Sequence, residues 1–93
     1  MYPKIISAFR DKILKSEFVL TLHAEEEMTN DGFNVFDVER GVLTGRITER
    51  QMDPVSGEYK YIVTGKSVSY DDIEIVAKLG PTGKLVIITV YRP

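Results

Sequence analysis

The sequence predicts a single α+β domain in which helices and one short strand precede an antiparallel meander, and three observations carry that expectation. Up to Gly45, apolar residues recur mostly at three- and four-residue steps. Beyond Gly45 the period falls to two. The turn-rich pieces DPVSGE, GKS and GPTG then divide the second half at strand-length intervals. No linker, repeat or low-complexity segment interrupts the chain, so residues 1–93 are read as one domain. A chain of 93 residues hides only roughly 60 to 65 per cent of the surface its unfolded form exposes, so every strong apolar run is needed for the core.

Taken in order, Tyr2 to Ser16 is an amphipathic helix: Tyr2, Ile5, Ile6, Phe9 and Ile13 form the stripe, and Pro3 suits the first turn. FVLTL follows as a short strand. Thr21 can cap a second helix, from about His23 to Asp31, which Gly32 ends in the left-handed conformation. Asn34 opens a third helix, with Asp37 three residues on and Phe33 and Val38 as a hydrophobic staple. That helix turns Val35, Val38, Val42 and Leu43 inward and stops at Gly45. Strands are expected at Arg46 to Met52, Tyr59 to Thr64, Ile73 to Leu79 and Lys84 to Tyr91. In DIEIVAKL, Ile73, Ile75, Ala77 and Leu79 share one face while Glu74 and Lys78 share a wet one. LVIITV is apolar on both faces and is expected to be central; RITERQM is charged enough for an edge.

Composition narrows the partners. Twelve basic and 14 acidic residues give a formal charge of −2, so nucleic-acid binding requires a basic patch assembled by folding. No apolar run reaches the roughly 18 residues a spanning helix needs, and charges interrupt the first 15 residues too often for a signal sequence. A cytoplasmic address and no membrane association are expected. The chain has no cysteine and one histidine, so neither a typical zinc site nor a thiol nucleophile is available. No metal and no cofactor are expected.

TGKS, Thr64 to Ser67, ends like a phosphate-binding loop, but position 60 holds lysine where that loop needs glycine, and an extended segment follows instead of a helix. Gly65 is therefore read as a turn residue. Glu25, Glu26 and Glu27 point different ways around a helix, and Asp71 and Asp72 diverge if extended, so both groups read as solvated faces.

His23 falls in the first turn of the second helix, where the dipole disfavours a cation while Glu26 and Glu27, three and four residues on, favour one. Two roles fit it. It ties the start of the helix to a neighbouring carbonyl, or it serves as a general acid or base at a groove rim.

LTLHAEEEM, followed by DGF, DVERGVLTG, RITER, YIVTG and the closing IITVYRP, resembles a family of small uncharacterised prokaryotic domains close to the BrnT and RelE/ParE toxins of toxin-antitoxin systems. The resemblance runs from about Phe18 to Pro93. It implies a RelE-like fold: N-terminal helices packed on a curved, four- to five-stranded, mainly antiparallel sheet. The neighbouring toxins are endoribonucleases that need no metal: a base removes the ribose 2′-hydroxyl proton, cations stabilise the phosphoryl oxygens and an acid protonates the leaving group. The candidates for that chemistry are His23, Arg50, Lys60, Tyr91 and Arg92, with Arg46 and Lys66 as RNA-binding residues. Tyr91 alternates in phase with Leu85 and Ile87, which also fits a core position. The family pattern frequently carries arginine beside the helix methionine, whereas this chain has Glu27 before Met28, an acid that repels phosphate.

Two functions are therefore expected. One is a metal-independent endoribonuclease of toxin type acting on RNA, free or on the ribosome. The other is a non-catalytic protein–protein interaction module that binds a small antitoxin-like protein or forms a homodimer through an edge strand or the first helix.

Overall fold

A computed structural model of the chain describes residues 2–93. Helix α1 (Pro3–Leu14) leads into strand β1 (Phe18–Leu20), helices α2 (Leu22–Asn30) and α3 (Val35–Thr44), and strands β2 (Arg46–Met52), β3 (Tyr59–Lys66), β4 (Asp72–Leu79) and β5 (Leu85–Tyr91). The strands form one open sheet in the order β1-β5-β4-β3-β2. β1 runs parallel to β5 and the remaining ladders are antiparallel, which makes the sheet mixed. The fold is α+β, with three helices and five strands.

The helix boundaries follow their capping chemistry. Thr21 accepts the Ala24 amide at 3.1 Å and also donates to the Ile88 carbonyl at 3.1 Å, so the start of α2 is fastened to β5. Asn34 Oδ1 accepts from Phe36 and Asp37, while the Asn34 amide donates to Asp37 Oδ2 at 2.9 Å, a reciprocal capping box. Gly32 takes the left-handed conformation, with φ of 77°.

All three helices contribute to one face of the sheet. Ile6, Phe9 and Ile13 of α1, Ala24 of α2 and Val38 and Val42 of α3 join Ile47, Tyr61, Val63, Ile73, Ile75, Ala77, Leu85, Ile87 and Val90 in a continuous core. Burial of such side chains, at about 25 cal/mol per Å² of apolar surface, is the main driving force for the fold. The period-two face Ile73, Ile75 and Ala77 is wholly buried as its alternation requires, and Leu79 at the strand end is exposed.

Three sequence expectations are corrected. Gly65 is not a turn residue: it lies inside β3, opposite Ile73, and the turn comes later, where the Tyr70 amide donates to the Ser67 carbonyl. β5 is interior but the middle strand is β4, because β1 adds beyond β5. Tyr91 leaves the phase of Leu85 and Ile87 because the β4–β5 register shifts between Val76 and Ala77: Val76 pairs with Thr89 while Ala77 pairs with Ile87. Ile88 is the extra residue of a bulge, which flips every later side chain of β5. Val90 therefore enters the core and Tyr91 emerges on the opposite face.

Candidate functional site

On the face of the sheet opposite the core cluster, the strand registers place the side chains in three rows. The first holds Gln51, Lys60, Lys78, Val86 and Val19: Gln51 pairs with Lys60, Lys78 with Val86 and Val86 with Val19, and the β3–β4 register continued by one pair sets Lys60 against Lys78. The second holds Glu49, Ile62, Val76 and Thr89, and the third Arg46, Thr64, Glu74 and Tyr91. Ile62, Val86 and Ile88 are half-buried and Val76 is buried, and Thr21, the cap of α2, stands beside Val86 and Ile88.

A cavity of about 360 Å³ opens at the first row, lined by Asp53, Glu58, Tyr59, Lys60, Lys78, Val86 and Ile88 together with Thr21. Within it Lys78 Nζ lies 2.8 Å from Glu58 Oε2. Asp53 holds its loop in place by accepting the Val55 amide at 2.8 Å and the Ser56 amide at 3.4 Å, and these backbone donors lower its carboxyl below the ordinary range.

At the third row the Tyr91 hydroxyl donates to Glu74 Oε2. That bond is the main reason the phenol is pushed up to about 12, with desolvation and the nearby charges of Glu74, Glu49 and Glu27 acting in the same direction. Tyr91 thus stays protonated across the physiological range. His23 is exposed on α2, its Nε2 2.9 Å from Glu27 Oε1, one turn on. The contact lacks hydrogen-bond directionality, and Glu27 Oε1 is buried without a donor. Among the described residues the imidazole makes no bond to a backbone carbonyl, so its partner there is a carboxylate and not the helix-start carbonyl that one sequence reading expected.

The seven sequence candidates do not converge. Lys60 and Tyr91 share the open face but occupy rows about 13 Å apart at 3.3 Å per residue. Arg46 is exposed at the β2 end of Tyr91's row. Arg50 points to the helix side, where its guanidinium lies 4.2 Å from the centre of the Tyr59 ring and 5.5 Å from that of Tyr2. Lys66 is paired with Asp72. Arg92 is a clamp: its backbone amide donates to Asp31 Oδ2 at 2.8 Å, Nη2 donates to the Asp31 carbonyl at 3.0 Å, and the guanidinium sits over Phe33. His23 has an acidic companion instead of a cationic one.

Residues that sequence reasoning passed over are Ile62, Val76, Val86 and Ile88, which line the open face; Glu27, expected beside His23, also acts on Tyr91. The signal was present in β3 and β4: Ile62 and Val76 fall in phase with Lys60, Thr64, Glu74 and Lys78, so the wet face had an apolar centre.

No helix among the described residues is long and apolar enough to cross a membrane. Among the same residues no group of three or more histidine or carboxylate side chains is placed to hold a metal ion. Neither the curated proteins nor the solved structures contain a match to the chain. One family model does match it, over residues 20–92, a span that starts at the end of β1 and takes in α2, α3, the meander and both His23 and Arg92. The chain belongs to the family described as a domain of unknown function, DUF4258.

Proposed function

We propose that this protein is a non-catalytic protein–protein interaction module that docks its partner on the face of the sheet opposite the core. The observation that carries the reading is the apolar centre of that face, formed by Ile62, Val76, Val86 and Ile88 and framed by charged side chains on either side. An antiparallel sheet that merely faces water alternates polar residues outward, and these four positions depart from that rule. An apolar centre inside a polar rim is the ordinary anatomy of a protein interface. The edge strands fit less well as docking elements: β1 has three residues and β2 carries a bulge at Thr48 with Arg46, Glu49 and Arg50 beside it.

The test is an Ile62→Asp, Val86→Asp variant, in which two carboxylates stand on the floor of the face without entering the helix-side core. Circular dichroism should remain that of the folded protein while a partner retained by the wild type from its own cell extract is lost. Retention of the same partner by the folded variant would refute the reading.

A second reading rests on a separate observation, the exposed His23 with Glu27 beside it and a phenol held protonated at Tyr91. In it the chain is a metal-independent endoribonuclease with the RelE-like fold and toxin relationship that the sequence resemblance implies. His23 takes the 2′-hydroxyl proton, the 2′-oxygen bonds to phosphorus, the bond to the 5′-oxygen breaks, and Tyr91 protonates that oxygen. Arg46 and Lys60 supply positive charge along the face. RNA cleavage that survives a chelator and disappears in His23→Ala would support this reading; intact RNA, free and on ribosomes, would end it.

A further inference from the structure

We propose that the occupant of the open face is the same face of a second copy of this chain, related by a two-fold axis lying across the strands at the row of Ile62 and Val76. The inference rests on the docking reading above and goes beyond it by naming the partner. It stands on a charge pattern along the two inner strands. On β3 and the residue before it, the positions facing away from the helices are Glu58, Lys60, Ile62, Thr64 and Lys66; on β4 they are Asp72, Glu74, Val76 and Lys78. About Ile62 the flanking charges are opposite in sign at equal distance, Glu58 against Lys66. About Val76 they are again opposite, Lys78 against Glu74.

A two-fold axis through that row reverses strand direction while keeping each strand over its own image. Lys78 then lies opposite Glu74 of the second copy, Glu58 opposite Lys66 of the second copy, and Ile62, half-buried beside the buried Val76, meets its own image. Sheets pack face to face at about 10 Å with strands within about 30° of alignment, a separation these side chains span. Within one copy Lys78 already pairs with Glu58 and Lys66 with Asp72, so each lysine gains a second carboxylate and keeps its first. Val86, in the first row, meets Tyr91 of the second copy in the third. A single surface thus complements itself, which is the requirement for a closed two-fold dimer.

One contact opposes the arrangement. Glu49 of β2 belongs to the axial row and meets its own image, but β2 is the outermost strand and Glu49 is exposed there, hydrogen-bonded to Gln51 Nε2. Charges at a wet rim interact weakly. Removing this one should tighten the dimer.

The experiment is analytical ultracentrifugation at low salt over a concentration series, on the wild type, Lys78→Glu, Glu74→Lys and their equimolar mixture. The wild type should dimerise. Each single variant sets like charges against each other at two symmetric contacts and should dimerise about tenfold or more weakly. In the mixture both contacts of the heterodimer are attractive again, so association should return toward wild type. Glu49→Gln should strengthen association, and Ile62→Asp, at a half-buried position on the same face, should be a folded monomer by circular dichroism. If Glu74→Lys does not fold, Lys78→Glu and Ile62→Asp decide alone. A wild type that is monomeric up to about 1 mM, or a mixture of folded variants no tighter than its components, overturns the proposal. A monomer that still loses a different bound protein in Ile62→Asp, Val86→Asp overturns the second copy as occupant and leaves the docking face standing.

Discussion

The carbonyl oxygen of Gly41 on α3 occupies the place where a side chain would begin at Gly65 on β3: a Cβ added to Gly65 would lie 2.1 Å from it. Helix backbone rests directly on strand backbone at this crossing, and neither side has a flexible end that can yield. Gly65→Ala should therefore cost at least about 2 kcal/mol, at the upper range for overpacking, and lower the melting temperature by roughly 10 °C. Gly41→Ala meets Ile75 Cδ1 at 2.7 Å and Ile73 Cγ2 at 2.8 Å, which are side-chain atoms, and it gains about 1 kcal/mol of helix propensity. It should be the milder of the two. Thermal melts of both variants check the order.

Asp37 serves two elements at once, with Oδ2 accepting the Asn34 amide and Oδ1 accepting the Val68 amide at 3.0 Å. Its side chain is buried, so loss of the carboxylate leaves two amides without acceptors. Asp37→Ala should cost about 2 to 3 kcal/mol, more than an ordinary helix cap. Asn34→Ala, whose carbonyl oxygen serves amides at the exposed start of α3, should cost about 1 kcal/mol. Urea unfolding curves of the two variants measure the difference.

These two sites show which parts of the fold the sequence made legible. The capping box was readable because Asn34 and Asp37 are three residues apart, and the Thr21 cap was readable for the same local reason. The bond from Val68 to Asp37 and the contact of Gly41 with Gly65 join distant segments, and a pattern of local propensities carries no information about them. Gly65 looked like punctuation because glycine ends strands more often than it admits a neighbouring backbone. Tyr91 was placed by counting in twos, and the bulge at Ile88 breaks that count without leaving a mark in an apolar run. The candidate site suffered most. Arg50, Lys66 and Arg92 were grouped by their charge, and the structure gives each a separate local partner: two tyrosine rings, Asp72, and Asp31 with Phe33.

The Tyr91–Glu74 pair should leave a signature at alkaline pH. The folded state binds the phenolic proton more tightly, raising the group from 10.0 to about 12. Its contribution to stability is therefore complete below pH 10 and is lost as pH rises through 12. Tyr91→Phe should abolish that component of the pH dependence, and phenolate absorbance of the folded wild type should show one tyrosine ionising late that the variant lacks. Equal titration curves apart from one ordinary tyrosine would contradict the assignment.

The C-terminal clamp separates structure from catalysis for Arg92. Its guanidinium donates to the Asp31 carbonyl, lies over Phe33 and sits 3.4 Å from Asp71 Oδ2. Arg92→Ala keeps the backbone bond to Asp31 and should lose about 1 kcal/mol, the sum expected for one exposed hydrogen bond and one cation–π contact. Arg92→Lys should recover only part, because an ammonium cannot stack and donate in the same geometry. Hydrogen exchange should report the loss locally, at the end of α2 and at β5. An unchanged exchange pattern there would contradict the clamp.

His23 is the sharpest case, because its exposure and its single contact predict near silence in stability. The side chain is 66% exposed and its contact with Glu27 joins positions i and i+4 of one helix. Such pairs contribute about 0.3 to 0.5 kcal/mol when exposed. Its substitution also leaves the Thr21 cap and the buried Ala24 untouched. His23→Ala should therefore change the unfolding free energy by less than about 0.5 kcal/mol. Glu27→Gln provides the matched control, since it removes the charge facing His23 and Tyr91 without changing side-chain volume, and it should lower the raised Tyr91 ionisation slightly by deleting one nearby negative charge. Chemical denaturation and phenolate titration test the two together. A His23→Ala loss above about 1 kcal/mol would mean that the ring makes tertiary contacts beyond Glu27.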